Sequence, residues 1–464
     1  MLTATVVEVL HRVLPEDRIL DDLDVLAAYR HDEAAWAEHG RPACVVRPRT
    51  AEEVQQVVRA CLHHGAPVVP RGAGTGLSGG ANALDGCVVL STEQMTTIRE
   101  IDVAERLAVV EPGVVNDDLR AACAEHGLWY PPDPASAPWS TIGGNVATNA
   151  GGLCCVKYGV TRDYVLGLQV VTGTGELVRI GRRTAKGVAG YDLTGLMVGS
   201  EGTFGVITEV TVRLRPARPP ERTVAGYFPA LTAAGRAVAG VAATGLTPSA
   251  LELIDRATLV AVDEWKNMGL SAEADAVLLA RTDAPGEAGE QEAEALLRCF
   301  TDAGATWAAA SSDAAEADAL FAARRLAYPA LERLGPLLTE DICVPRSAVP
   351  AMLDQIQMIG RRHTVQIATV AHAGDGNLHP VLVVPAGDEV ARARAEIAFD
   401  EILDAALVLG GTVTGEHGVG LLKRAGLRRE LPEPVLAMHA AVKQALDPQG
   451  ILNPGKVIAC APPC

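Results

Sequence analysis

The sequence predicts an α+β protein of two parts, and three observations carry that expectation. Short apolar strands alternate with amphipathic helices along the chain. The stretch Arg215-Pro-Ala-Arg-Pro-Pro220 interrupts them and marks a boundary. Beyond it the composition shifts to Ala-rich helices between strands, the pattern of an antiparallel sheet covered on one face. With 464 residues, 48% hydrophobic, 21% charged and 46 of them Gly, the chain has room for two or three domains with cores of their own.

The elements follow in order. Residues 1–40 read as helix, with Leu10, Val13, Leu14, Leu23 and Leu26 as the apolar stripe. Cys44-Val-Val-Arg-Pro48 reads as a short strand. Thr50 caps a helix with Glu53 at its N3 position, a capping box, and Val54, Val57, Val58 and Leu62 carry it to Gly65. Pro67-Val-Val-Pro70 is the next strand and opens into Arg71-Gly-Ala-Gly-Thr-Gly-Leu-Ser-Gly-Gly80. Further on come a strand at 107–113, a helix at 116–126, a hairpin of 165–172 with 177–180, a helix and turn at 191–202, and a strand at 207–214. Past the boundary, 251–254, 276–280, 307–310 and 337–344 read as strands, and 231–244, 287–300 and 314–334 as helices. Strands at 365–379 and 381–384, a helix at 389–409, a turn at Glu416-His417 and a helix at 431–446 complete the reading.

Gly74-x-Gly76-x-x-Gly79 matches the dinucleotide fingerprint by pattern, but its context refuses that reading. Only Ala81-Asn-Ala-Leu-Asp-Gly86 separates it from the strand Cys87-Val-Val-Leu90, too little for the helix of a βαβ unit. A glycine-dense loop with bare amides still cradles a diphosphate as an anion nest. A second tract, Thr141-Ile-Gly-Gly-Asn-Val-Ala-Thr-Asn-Ala-Gly-Gly152, is apolar and amide-bearing, without a titratable side chain. Such a lining suits a flat neutral ring system.

The titratable chemistry gathers in Ala371-His-Ala-Gly-Asp-Gly-Asn-Leu-His379 and Gly415-Glu-His-Gly-Val-Gly420. His372, His379 and Glu416 are a ligand set that holds a divalent metal and leaves a position open. His₂Glu suits Zn first, with Mn or Fe as alternatives. His417 is left over to move protons. Asp375 and Asn377, between the two His, are placed to orient ligands or substrate. His63, His64, His126 and His363 have no comparable surroundings.

A net charge of −17 argues against nucleic acid as a partner. No apolar run reaches the ~18–20 residues of a membrane span. The N-terminus lacks the basic start of a signal peptide, so the expected place is the cytoplasm, with peripheral association at the inner face of the membrane compatible with it. The ten Cys are scattered, Cys154-Cys155 adjacent and Cys460 and Cys464 in a Pro-rich tail. None has iron–sulfur spacing, so any such centre belongs to a partner.

Taken together, these tracts resemble one family. Pro70 to Gly80 resembles the pyrophosphate loop of flavoproteins of the vanillyl-alcohol oxidase/p-cresol methylhydroxylase superfamily. The 141–152 tract and Gly199-Ser-Glu-Gly-Thr-Phe-Gly-Val-Ile-Thr208 resemble its isoalloxazine and adenine contacts. The His/His/Glu/His set and Leu452-Asn-Pro-Gly-Lys456 narrow the likeness, over residues 42–456. They resemble the branch that holds the flavoprotein component of glycolate oxidase, D-lactate dehydrogenase and D-2-hydroxyglutarate dehydrogenase.

The resemblance implies a two-part FAD-binding domain of the p-cresol methylhydroxylase (PCMH) type at 1–218, a cap domain at 219–412, and a segment at 413–464 returning to the FAD domain. It implies cofactor contacts from Pro70, Arg71, Gly72, Ala73, Gly74, Thr75, Gly76, Leu77, Ser78, Gly79 and Gly80. Others are Pro132, Asp133, Ser136, Thr141, Gly143, Gly144, Asn145, Asn149, Gly151 and Gly152, then Glu201, Gly202, Gly205 and Ile207. From the C-terminal side it adds Asn453, with Lys456 nearby. The loop 71–80 has no His to tether a flavin, so FAD is expected to be non-covalent.

The implied reaction is oxidation of a 2-hydroxy acid, with a hydride passing to the flavin and the proton to His417. Of the pair Arg324-Arg325, the resemblance favours Arg324 for the substrate carboxylate, with Asn377 and His417 also toward substrate. Leu338-Thr-Glu-Asp-Ile-Cys-Val344 offers Glu340 and Asp341 but no Lys for a second carboxylate. That favours glycolate or D-lactate over D-2-hydroxyglutarate. The acceptor is expected to be separate: a quinone, an iron–sulfur subunit or an electron-transfer flavoprotein. A homodimer is compatible with the sequence. Two readings of other classes stay open: a metallohydrolase built on His372, His379 and Glu416, and a flavin-binding, non-catalytic subunit of a larger oxidase.

Overall fold

A computed structural model describes residues 5–34, 36–311 and 313–458, without the side chains of 314–318 and 320; Cys460, Cys464 and the start of the expected N-terminal helix lie outside the described residues. The chain divides into two units. One comprises residues up to 151, 160–217 and 416 onward; the other comprises Gly152–Gly159 and Arg218–Gly415.

In the first unit the expected N-terminal helix is broken. Val6–Val13 is helical under a Thr5 capping box, and Pro15, with no N–H to give, follows its end. Strand β1 (Ile19–Leu20) comes next, and Asp22 caps a second short helix, Leu23–Ala27. With β2 (Cys44–Val46), β3 (Val68–Arg71) and β4 (Val88–Ser91), β1 makes a sheet of order β1-β2-β4-β3. β4 runs parallel to both β2 and β3. The glycine loop alone makes the β3–β4 connection, without a helix.

Helix Ala51–His64 connects β2 to β3 and buries Val54, Val57, Val58 and Cys61 at one-face spacing. Three fully buried valines contribute roughly 1.5–3 kcal/mol each, well above the few tenths that β-branching costs a helix. Gly65 ends the helix at φ +62. Only half of the capping box forms. Glu53 N–H donates to Thr50 Oγ1 at 3.2 Å, but the Glu53 carboxylate accepts from Arg49 N–H and Arg18 Nε.

A second, antiparallel sheet holds β5 (Ile98–Asp102), β6 (Leu107–Val110), β8 (Val165–Thr172), β9 (Leu177–Gly181) and β10 (Gly205–Arg213) in the order β5-β6-β10-β8-β9; β7 (Leu128–Trp129) pairs separately with β11 (Arg215–Pro216). Val146 from helix Ile142–Thr148 joins Tyr130, Val170 and Val210 in its core. At the C-terminal end of the unit, Leu452 pairs in parallel with Val68 and extends the free edge of β3.

The second unit is built on one antiparallel sheet. Its strands are β12 (Arg222–Phe228), β13 (Ala250–Asp255), β14 (Ala276–Thr282), β15 (Trp307–Ser311), β16 (Leu337–Thr339), β17 (Ile342–Cys343), β18 (Gln366–His372) and β19 (Asn377–Val383). The order is β15-β12-β14-β13-β18-β19-β16, with β17 also on β19. Every residue of β13 and β19 is buried, so the central strands are covered on both faces rather than one. The expected strand at 337–344 divides at the buried acids Glu340 and Asp341. The expected strand at 365–379 divides into a hairpin whose turn needs Gly376 at φ +87. Strand β12 and helices Arg256–Lys266 and Val349–His363 were not among the sequence expectations.

Candidate functional site

In the first unit the glycine loop leaves its backbone amides open. Among the described residues, no N–H from Gly72 to Gly80 donates to a protein acceptor. The glycines keep side chains out of the space. A Cβ on Gly72 would come within 2.5 Å of Thr141 Oγ1, and one on Gly79, at φ +79, within 2.8 Å of Ala37 Cβ. Arg71 is buried, donates through Nη1 to His31 O at 2.9 Å, and turns into the loop beside Gly74. A row of bare amides is the donor set that a diphosphate accepts. Asn453 Nδ2 donates to Gly80 O and Glu201 O, at 2.9 and 2.7 Å. Its Oδ1 is buried without a protein partner among the described residues, leaving one acceptor for a ligand. This cradle therefore fits a dinucleotide flavin.

Lys456, expected near the site or at the surface, is buried and donates to Gly80 O at 3.0 Å and to Asn82 O. Burial lowers its pKa to about 8, against the opposing pull of Asp32, Cys87 and Glu201. Burial raises the Glu201 carboxyl to about 7, although Val419 and Gly420 N–H and Lys456 hold it lower than burial alone would.

Glu416 and His417 open the returning stretch of this unit. Glu416 lies against Gly151, where a Cβ would come within 2.3 Å of its Oε2. Ser78 Oγ donates to His417 O at 3.1 Å, and His417 Nε2 lies 3.9 Å from Glu416 Oε1.

In the second unit His372 and His379 stand on paired strands, their rings 5.1 Å apart and at 84°. Register puts Glu252 of β13 directly opposite His372. The Glu252 carboxylate lies 2.8 Å from His372 Nδ1 and accepts from Arg324 Nε at 2.8 Å. Burial alone would raise the Glu252 carboxyl, but His372 and Arg324 more than offset it and hold its pKa below the ordinary value. A carboxylate on Nδ1 sets the His372 tautomer and leaves Nε2 as the ligand atom, the usual support for a metal-binding imidazole. The Nη groups of Arg324 have no protein partner among the described residues and can receive a carboxylate.

Other expected site residues have neighbours within the protein. Asn377 donates through Nδ2 to Asp341 Oδ1 and Ile342 O, at 2.7 and 3.0 Å. Asp341 also accepts from Thr414 Oγ1 and Gly415 N–H, and its Oδ1 is 3.7 Å from His379 Nδ1, beyond hydrogen-bond length. Asn145 is bonded to Asn116 and Ser140, and Asn149 accepts from Arg162 N–H. A Cβ on Gly143 would meet Pro112, one on Gly202 would meet Pro70, and one on Gly205 would meet Val170, so each glycine lets the backbone pack closely there. Ile207 belongs to the core of the second sheet of its unit. Pro132 is buried, and Asp133 and Ser136 are half-buried on the approach to Thr141. Glu252 was missed by sequence reasoning, because a lone Glu in an apolar strand carries no local signal.

The family model for FAD linked oxidases, C-terminal domain, matches residues 218–457, and that for an FAD binding domain matches residues 42–181. Glycolate oxidase subunit GlcD of Bacillus subtilis (strain 168) is 41% identical, over 99% of this chain and 98% of its own. A D-lactate dehydrogenase of Archaeoglobus fulgidus is 36% identical, over 93% and 95%. The structure of p-cresol methylhydroxylase with substrate bound matches at a TM-score of 0.82 and 18% identity, over 98% of this chain and 96% of its own. Alkyldihydroxyacetonephosphate synthase matches at 0.75 and 17%, over 97% and 86%. These two show the fold.

Proposed function

The chain belongs to the FAD-linked oxidases and is an oxidoreductase, and on that premise we propose that it oxidises a small 2-hydroxy acid, glycolate or D-lactate, to the 2-oxo acid. Bound FAD supplies the two-electron acceptor and a bound divalent metal a Lewis acid for the hydroxyl oxygen. In this reading the 72–80 amides and Asn453 would hold FAD non-covalently. His372, His379 and Glu416 would hold the metal, Zn first among Zn, Mn and Fe.

The chain's own residues do the rest. Arg324 receives the substrate carboxylate on its Nη groups while Glu252 holds Nε. Glu252 at Nδ1 orients the His372 ring and leaves Nε2 as its ligand atom. His417 takes the hydroxyl proton as C2 gives up its hydride. Glu416 follows Gly415, which is tied to Asp341 through its N–H. The observation that carries the proposal is Glu252, one carboxylate serving both the candidate metal ligand His372 and the candidate clamp Arg324. A short acid is favoured because Glu340 and Asp341, fully buried near His379, offer acceptors where a second carboxylate would need donors. Electrons leave to a separate acceptor: a quinone, an iron–sulfur subunit or an electron-transfer flavoprotein.

Anaerobic mixing of FAD-loaded protein with glycolate and with each lactate enantiomer tests the reading. Bleaching of the flavin absorbance by at least one acid is expected; no bleaching by any of them would sink it. His417→Ala should keep metal and FAD and lose flavin reduction, whereas His372→Ala should lose metal as well. A colourless protein that turns over esters or amides would favour a metallohydrolase instead.

A further inference from the structure

We infer that Glu201 is a positioning residue for His417, which it holds through the backbone of Val419 and Gly420 rather than by contact with the cofactor. The inference rests on the reading of His417 as the base and deepens it.

Glu201 takes the left-handed conformation, φ +50, in a turn where Gly199 and Gly202 are also at positive φ, +81 and +71. A side chain is strained there, and the turn directs this one inward. Its carboxylate is buried and accepts from Val419 N–H at 2.7 Å and Gly420 N–H at 2.8 Å, one on each oxygen. Its backbone is fastened as well, with N–H donating to Ala147 O and the carbonyl accepting from Asn453 Nδ2. Burying a carboxylate is unfavourable unless it is well paired, and both oxygens here are spent on one short segment.

That segment has little preference of its own. Gly418 and Gly420 sit at φ +85 and +48, and a Cβ on Gly418 would come within 2.9 Å of Glu201 Cδ. From the other side, Ser78 Oγ donates to His417 O, and Ser78 O accepts from Leu421 N–H at 2.7 Å. His417 is thus bracketed by a clamp from the glycine loop and a clamp from the 199–202 turn. Displacing a catalytic group by about 1 Å costs on the order of 100-fold in rate, so the clamps are large enough in effect to be read kinetically.

Glu201→Gln tests this, because the amide NH₂ cannot accept the N–H that one carboxylate oxygen now takes, while volume is kept. Expected are FAD content unchanged within about twofold, faster amide hydrogen exchange across 418–420, and kcat lower by roughly 10–100-fold with KM within about threefold. Ser78→Ala, which opens the opposite clamp and buries no new group, should move the same readouts in the same direction by less. Should Glu201→Gln fail to fold, Ser78→Ala decides alone. Loss of FAD in step with activity would overturn the inference in favour of direct cofactor contact, and so would wild-type kcat and exchange. His417→Ala run beside them separates the two levels. An active His417→Ala removes the base assignment itself. An inactive one beside a wild-type-like Glu201→Gln removes only the positioning role.

Discussion

Glu252 accepts a 2.8 Å hydrogen bond from Arg324 Nε while both side chains are shut away from solvent, 0% and 8% exposed. The same carboxylate lies 2.8 Å from His372 Nδ1. An ion pair this buried is a poor source of net stability, since desolvation consumes most of its attraction. In the proposed reading its worth lies in fixing His372 and Arg324 against one point.

Glu252→Gln keeps the shape and removes the charge. Metal affinity is expected to fall by roughly 10–100-fold, because His372 loses the partner that orients it. Equilibrium dialysis against a metal buffer measures this directly. Stability should fall by about 3 kcal/mol as Arg324 is left buried without its counter-charge. Unchanged metal binding would remove Glu252 from the site.

Arg324→Lys keeps the charge and loses the fork. One ammonium cannot both hold Glu252 and receive a carboxylate in two-pronged fashion. Catalytic efficiency toward the 2-hydroxy acid should drop by about 10–100-fold, mostly in KM. Steady-state kinetics with an artificial acceptor reads the split. A wild-type KM would mean that the clamp lies elsewhere.

Gly79→Ala and Gly65→Ala separate strain from space. Both glycines sit at positive φ, +79 and +62, but a Cβ at 79 meets Ala37 Cβ at 2.8 Å while one at 65 meets nothing within 4 Å. Gly65→Ala should cost about 1 kcal/mol and keep full flavin content. Gly79→Ala should distort the loop and lower flavin content severalfold, read as flavin absorbance per protein. Equal flavin in both variants would detach the loop from the cofactor.

Asp255 gives a pH prediction. Burial raises its carboxyl to about 6, opposed by hydrogen bonds from Thr258 and from Thr369 N–H. A raised carboxyl means that the folded state holds its proton more tightly than the unfolded chain, so this group's contribution is present below about pH 4 and is lost as pH rises to about 6. The loss is on the order of 2–3 kcal/mol. Asp255→Asn cannot titrate, so the wild-type unfolding temperature should fall relative to the variant's as pH rises across that window. A constant gap would contradict the assignment.

Local patterns were legible in the sequence; long-range pairings were not. Thr50 and Gly65 bound their helix as read, because caps are chemistry between neighbours. The glycine loop could be denied a βαβ helix from chain length alone. Helix Ile142–Thr148 was hidden by its glycines, poor helix formers kept in place by the Thr141 cap and burial of Ile142 and Val146. Asn145 and Asn149 look available in the sequence, yet their partners Asn116 and Arg162 lie 29 and 13 residues away. Glu252 is legible only once strand register sets it opposite His372, 120 residues on. The first 40 residues misled because an apolar stripe was followed through Pro15.

The β3 edge is completed late. Val68 donates to Ile451 O and accepts from Asn453 N–H, so the neighbour of β3 is made only after the whole of the second unit. A nascent chain that has passed Ala217 still carries an open strand edge beside its glycine loop, and open edges template wrong pairings. At ~5–20 residues per second that interval lasts roughly 10–50 s on the ribosome. The glycine-loop cradle is therefore assembled late: Asn453, which closes the loop from behind, is made more than 200 residues after Ala217.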